Sequence, residues 1–263
     1  MATFKILVLG GTGPAGICLL RELVHRNHPT IVYARNPSKI PQELLQSPMI
    51  KVRNIQTAPI GRHAIQLNLS FSMCVVQIIK GELGNTEALS TAVAQCSVIL
   101  SLLGPQISQR ISSPTFFADC YKATVFPLMR HHGVTRIVAI GTISIQRPED
   151  RWALTQLIIV AFVRLFANAV YQNITNLAQA FDQDAQGLDW TVFRIAQIPG
   201  ESDEASWRKD RGDGNVFTGW IGEKGWTSSI RRAALARWLV DAAEGESDEW
   251  FHKMPGVSKL ASS

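Results

Sequence analysis

Three glycines, Gly10, Gly13 and Gly16, stand at the spacing G-x-x-G-x-x-G in Lys5-Ile-Leu-Val-Leu-Gly-Gly-Thr-Gly-Pro-Ala-Gly16. The apolar run Phe4 to Leu9 ahead of them has the length and β-branched content of a buried parallel strand. Ile17, Leu19, Leu20, Leu23 and Val24 follow at helical spacing. A strand-to-helix turn this tight needs a residue that tolerates positive φ. A backbone approaching a pyrophosphate has no room for a side chain, and a helix packed close on its strand has none for a Cβ. Free N–H groups and the helix dipole then hold phosphates, so the chemistry these residues point to is dinucleotide binding. The second strand, Thr30-Ile-Val-Tyr-Ala-Arg35, ends where such folds meet the adenosine ribose. A carboxylate there accepts the 2′-OH of NAD, whereas a cation accommodates the 2′-phosphate of NADP. The chain has Arg35, whose planar guanidinium suits a phosphate, with Ser38 to add a donor and Lys39 a second charge. The expected cofactor is NADP.

The elements that must position these residues recur along the chain. Ser97 to Leu103, Thr135 to Ile140 and Asp189 to Ile195 read as further buried strands, each followed by a loop: Gly104-Pro105, Gly141-Thr-Ile-Ser144 and Ala196-Gln-Ile-Pro199-Gly200. Helical patterns fill the gaps at Asn85 to Gln95, Pro114 to His132, Glu149 to Gln186 (two helices or one broken one) and 230 to 244. A last short strand is expected near Glu249 to His252. Strands alternating with helices define a doubly wound, mainly parallel α/β sheet with helices on both faces, in one domain spanning 1–263. Residues 200 to 228 hold six glycines and three tryptophans and read as a loop-rich excursion. With 196 to 199 they would cover a substrate outside the carboxyl ends of the strands.

One stretch breaks the alternation. Between Ser38–Gln46 and the helix at Asn85 a single strand is expected, yet Met49 to Ile55 and Cys74 to Ile79 both qualify, and the residues between them show no periodicity. Val52 to Gln77, 26 residues, reads as an anomalous insertion of the kind a retained intron leaves: Val-Arg matches nucleotides that open an intron and Gln a CAG that closes one. Removing it joins Lys51 to Ile78 and restores one short strand. A surface insertion is the alternative.

Composition narrows the rest. With 46% hydrophobic and 18% charged residues, the chain can build a sizeable core. The net charge of +5 is scattered, with no basic stripe interleaved with aromatics, so nucleic acid is not an expected partner. Cys18, Cys74, Cys96 and Cys120 are far apart and read as reduced core thiols. The first strand begins by residue 4, which leaves no room for a leader and points to the cytoplasm. Leu154 to Val170, the most lipophilic stretch, carries Thr155, Gln156, Arg164 and Asn168 and is shorter than the roughly 20 apolar residues a spanning helix needs. It reads as a core-facing helix, with no membrane partner. No clustered Cys/His or H-E-x-x-H suggests a metal. The adjacent His131 and His132 read as a capped helix end, and nothing favours an assembly larger than a monomer.

Taken in order, the glycine turn, Arg35, Gly81-Glu-Leu83, Leu100-Ser-Leu-Leu-Gly104-Pro105 and Val138-Ala-Ile-Gly-Thr-Ile-Ser144 resemble the atypical short-chain dehydrogenase/reductases. More narrowly, they are similar to the NmrA-like NAD(P)-binding group, which includes biliverdin/flavin reductase-like proteins and fungal averufin oxidase-like pathway enzymes. The resemblance covers residues 4–51 and 78–252 and implies a Rossmann-type fold. It also implies that Gly10, Thr12, Gly13, Pro14, Ala15 and Gly16 line the pyrophosphate, Arg35 the 2′-phosphate, and Glu82 and Leu83 the adenine. Leu102, Leu103 and Gly104 would lie along the ribose, Ile195 to Ile198 would border the nicotinamide, and Thr142 and Ser144 would place hydroxyls near the substrate. The chain departs from the pattern in lacking Tyr-x-x-x-Lys, the pair in which a lysine lowers the phenol pKa for proton exchange with a carbonyl. Tyr171, on the long helical segment where that pair belongs, remains a proton-donor candidate without its lysine. The implied activity is NADPH-dependent reduction of a small substrate, aromatic or quinone-like given Trp152, Trp207, Trp220 and Trp226, in secondary metabolism. A redox sensor that binds NADP without turnover is the competing expectation.

Overall fold

A computed structural model describes residues 4–47, 49–53, 76–105 and 113–261. Strand β1 (Ile6–Leu9) enters helix α1 (Pro14–His25), and β2 (Thr30–Ala34) leads through a 3-10 turn and the short α2 (Gln42–Leu45) to β3 (Ile50–Arg53). Then follow β4 (Val76–Lys80), α3 (Thr86–Val93), β5 (Val98–Ser101), α4 (Phe116–Cys120) and α5 (Phe126–His132). The chain continues through β6 (Arg136–Thr142), α6 (Leu154–Phe166), α7 (Asn168–Asp184) and β7 (Asp189–Ile195). It closes with α8 (Glu204–Asp210), β8 (Val216–Gly219), α9 (Arg232–Ala243) and β9 (Gly256–Lys259). The sheet order is β3-β4-β2-β1-β5-β6-β7-β9-β8, and every pairing is parallel except β8 with β9.

The alternation of side chains along each buried strand divides the core into two layers. Ile6, Val8, Val32, Ile78, Leu100 and Phe193 meet α1 and α9 on one face. Leu7, Leu9, Ile31, Ile79, Ile99 and Val192 meet α3, α5 and α7 on the other. The doubly wound architecture expected from sequence is therefore the one observed. Helix α1 is fixed by more than apolar contact. Glu22, fully buried, accepts hydrogen bonds from Arg26 and from Arg211 just after α8. Burial opposes its ionisation, but the bonds from Arg211 and Arg26 outweigh that and hold its carboxyl below the ordinary value.

Several expectations are corrected. The strand placed at Glu249–His252 is a 3-10 turn, Asp248–Trp250, and the strand follows at Gly256–Lys259, where Gly256 can lie flat against Ile221. Residues 200–228 are not only loop: α8 packs Trp207 against α1, with its ring edge-on to His25, and β8 closes the sheet edge. Leu154–Val170 is not core-facing. Within α6 only Gln156 and Val160 are buried, while Leu154, Ile158, Phe162, Leu165 and Phe166 are more than half exposed. Of the cysteines, Cys18, Cys96 and Cys120 are free thiols that burial pushes up to about 11, 12 and 11, as unreactive core groups require. Cys74 lies outside the described residues.

Both candidate strands in the anomalous stretch are in the sheet. The inner place beside β2 is taken by β4, and β3 forms the edge. Their register aligns Ile50 with Val76 and Lys51 with Gln77. Joining Lys51 to Ile78 would thus set Ile50 and Lys51 beside Thr30 and Ile31, where Val76 and Gln77 now stand, and leave Ile78–Lys80 untouched. The only displacement required is one strand spacing, about 4.8 Å. We propose that residues 52–77, most of which lie outside the described residues, are an insertion the fold does not need. A chain lacking them is expected to fold cooperatively, with a Tm at least equal to that of the full chain and undiminished NADP(H) binding, and transcripts without those codons are expected on sequencing. An insoluble deletion chain, or one unable to bind cofactor, would show the insertion to be structural.

Candidate dinucleotide site

The turn after β1 is built from steric exclusion. Gly10 has φ +78°, and a Cβ there would sit 2.8 Å from the Leu102 carbonyl carbon. A Cβ on Gly16 would meet the Gly11 backbone at 2.5 Å. A side chain at Gly10 would push the turn off the end of β5, and one at Gly16 would push the helix off the turn. Gly13 is the N-cap of α1, with Pro14 in the first turn and no side chain capping the helix. The first-turn N–H groups therefore point into open space, an arrangement suited to an anion.

That space is a cavity of about 900 Å³, lined by Gly10, Thr12 to Gly16, Arg35 and Lys39 on one side and Leu102 to Gly104, Thr142, Ile195 and Ile198 on the other. Its size falls within the roughly 300–1,000 Å³ of small-molecule and cofactor sites. Arg35 and Lys39 stand at the end of β2 without ion-pair partners among the described residues, and so does Arg232 at the start of α9. From β2 to β6 are three strand spacings, about 14 Å. At the β6–β7 end the lining turns apolar: Phe117, Ile140, Ile174, Ile195 and Ile198 surround the hydroxyl of Thr142, the only one at that end among the described residues.

Two tyrosines hold the walls from behind. Tyr33 donates to the Glu82 carbonyl at 2.7 Å, fixing the 81–84 loop, and burial pushes its phenol up to about 12. Tyr121, fully buried in a one-turn π-helix between α4 and α5, meets Ser101 Oγ at 2.6 Å and steadies the end of β5 below Leu102 and Leu103. Burial raises its phenol well above the ordinary value.

The structure thus brings together the residues expected from sequence except Ala196 and Gln197, within the stretch Ile195 to Ile198, and three others. Ser38 spends its hydroxyl on Asn36 at 2.6 Å. Ser144 is buried beyond the cavity, its N–H donating to Thr142 Oγ1. Tyr171 packs into an apolar cluster with Ile143, Val160 and Ile221, beneath the Arg164 guanidinium, and does not line the cavity. None of Trp152, Trp207, Trp220 and Trp226 lines it either. Sequence reasoning missed Arg232, Phe117 and Ile174, which reach the cavity from helices whose inward face only the tertiary packing fixes.

Next to the β6–β7 end lies a buried ion pair. Arg194 on β7, with no exposed surface, donates from both terminal nitrogens to Asp150 at 2.6 Å, and also to the carbonyls of Ile145 and Met254. Asp150 further accepts from the N–H groups of Arg147 and Ile221.

A parallel sheet with an open, glycine-lined helix N-terminus at its carboxyl edge defines a dinucleotide-binding α/β protein. Residues 51–246 match the NAD(P)H-binding family, and the chain belongs to it. The matched span begins downstream of the glycine turn, whose role rests on the geometry above. No curated protein sequence matches the chain. Similar solved structures include a short-chain dehydrogenase/reductase from Veillonella parvula in complex with NADP (14% identity, 97% of this chain and 94% of that one, TM-score 0.64). An oxidoreductase from Lactococcus lactis (15%, 98% and 93%, 0.63) and an anaerobillin reductase from Escherichia coli (13%, 98% and 100%, 0.61) share the fold.

Removing one partner of a buried ion pair strands the other charge. Asp150→Ala is therefore expected to cost about 3–5 kcal/mol in chemical denaturation, against a much smaller effect of removing the exposed Glu204–Arg208 pair. Equal effects would mean that Asp150 anchors nothing.

Proposed function

We propose that the chain is an NADPH-dependent oxidoreductase of the NmrA-like type, acting on a small planar substrate, aromatic or quinone-like. The observation that carries this is the polarity of the cavity: unpaired cations at the β2 end, an open helix N-terminus in the middle, and an apolar chamber with one hydroxyl at the β6–β7 end. Arg35 and Lys39 suit a 2′-phosphate, which NAD lacks. Arg232 suits the pyrophosphate, which both cofactors carry. Bound NADPH would supply the hydride; the protein's part is to orient and to exclude water. Ile195 and Ile198 wall the chamber where a nicotinamide ring would lie. Thr142 Oγ1 accepts the Ser144 N–H, which leaves its own O–H free to hydrogen-bond a substrate oxygen while solvent supplies the proton.

Arg35→Asp is expected to weaken NADP binding about 10- to 100-fold, the loss of one or two charge-assisted hydrogen bonds, and to leave NAD binding nearly unchanged. Arg232→Ala should weaken both. If Arg35→Asp weakens both alike, the NADP assignment fails.

Turnover separates the reductase from the sensor, which the missing Tyr-x-x-x-Lys and the position of Tyr171 favour. NADPH oxidation is expected with some member of a panel of quinones, flavins and aromatic ketones, and Thr142→Val should lower kcat about 10-fold or more at unchanged NADPH affinity. Tight binding with no oxidation across the panel would establish the sensor instead.

A further inference from the structure

Helix α6 is inside out. Its one uncharged amide, Gln156, points inward and donates to the Ile143 carbonyl at 3.2 Å, and Val160 packs beside it on Ile143 and Ile221. The outer face carries Leu154, Leu157, Ile158, Phe162, Leu165 and Phe166 into solvent, preceded by Trp152 at 75% exposure. Seven of the ten large apolar side chains exposed among the described residues lie in this one segment. A patch so concentrated marks a docking surface.

Charge and length decide what docks. Arg151 and Arg164 bracket the face, both exposed and without a carboxylate partner among the described residues, and the sequence contains no Asp or Glu from Arg151 through Phe181. A second copy meeting this face about a two-fold axis would set these arginines near one another with no carboxylate on either helix to offset them. An anionic surface has the complementary charge. Thirteen residues make a rod of about 20 Å, too short to cross a bilayer, and the chain turns by 115° into α7, which returns to the core. Among the described residues no single helix is long and apolar enough to span. Aromatic groups at both ends of the face, Trp152 and Phe166, suit the boundary between headgroups and acyl chains.

We infer that α6 lies flat in the surface of an anionic lipid bilayer, with Leu157, Ile158, Phe162 and Leu165 entering the acyl region and Arg151 and Arg164 meeting headgroup phosphates. Its inner face packs on Ile143, next to Thr142, so docking sets the apolar end of the cavity near the membrane. For the reductase this means a substrate taken from the lipid phase, a consequence that rests on that reading, whereas docking does not.

Sedimentation with extruded vesicles, without cofactor or substrate, tests it. The full chain is expected to co-sediment with vesicles of mixed phosphatidylcholine and phosphatidylserine, and far less with phosphatidylcholine alone. Arg151→Gln with Arg164→Gln should lower the partition by about fivefold per cation. The triple variant Ile158→Ser, Phe162→Ser, Leu165→Ser should abolish it while NADP(H) binding, which reports folding, is unchanged. The inference is overturned if the full chain stays in the supernatant with anionic vesicles or if the triple variant still sediments. It is overturned equally if light scattering shows a dimer that the triple variant dissolves and no lipid binding. Failure of NADPH turnover would leave these outcomes unaffected.

Discussion

The bidentate bond between Arg194 and Asp150 organises the half of the molecule where a substrate would sit. A guanidinium with no exposed surface needs acceptors for its whole fork, and it finds them in one carboxylate and two carbonyls contributed by the loop after β6 and the approach to β9. Asp150 in turn holds the N–H groups of Arg147 and Ile221, so one pair ties the loop before α6 to the segment after β8. Desolvating two charges costs several kcal/mol, and such a pair is weak evidence for net stability. Its value is definition. With so many partners fixed in direction, the Ile143–Asp150 loop has one arrangement, beside the ends of β6 and β7 from which Thr142 and Ile195 face the cavity.

The other half depends on exclusion rather than attraction. Gly10 and Gly16 bring three backbones together at distances no Cβ allows, and the result is a helix end with nothing capping it. Several other charges are paired: Glu22 with Arg26 and Arg211, Asp213 with Lys259, Glu244 with Arg26. Arg35, Lys39 and Arg232, without ion-pair partners among the described residues, differ in being gathered around one cavity. Cations facing a cavity without partners repel one another, and an anion relieves that repulsion.

What was legible in the sequence follows the same division. The glycine turn and Arg35 could be read because a backbone constraint and a strand end fix where they point whatever the rest of the chain does. The apolar runs marked the buried strands for the same reason, while the division of their side chains into two core layers came with the structure. The inward face of a helix is another matter. Nothing in Leu154–Phe166 says which side meets the protein, and an apolar helix is by default assigned to the core. The structure instead spends Gln156 on the interior and leaves the leucines and phenylalanines outside. Arg232, Phe117 and Ile174 escaped for the converse reason, since each lies on a helix whose packing direction only the assembled sheet decides. The strand expected at Glu249–His252 slipped because the place between β7 and β8 demands a glycine where Ile221 and the Gly219 carbonyl approach, a tertiary demand that outweighs a run of better strand formers.

The position of Tyr171 bears on chemistry more than its missing lysine does. A phenol needs a cation beside it to exchange protons near neutral pH, and the one cation over its ring among the described residues is Arg164, 5.9 Å from the centroid; neither residue lines the cavity. Restoring a lysine one helical turn on, at Thr175, would put a charge where Thr175 Oγ1 now caps the Tyr171 carbonyl, and would still leave the ring inside the Ile143–Val160–Ile221 cluster. The familiar dyad is thus excluded by packing, not by one substitution. On the proposed reductase reading, a reducible group in this chamber would meet a hydroxyl and apolar walls. Such an environment would favour acceptors whose reduced form is stabilised by delocalisation, as in quinones and conjugated rings, over simple ketones, which need a proton delivered as the carbon–hydrogen bond forms.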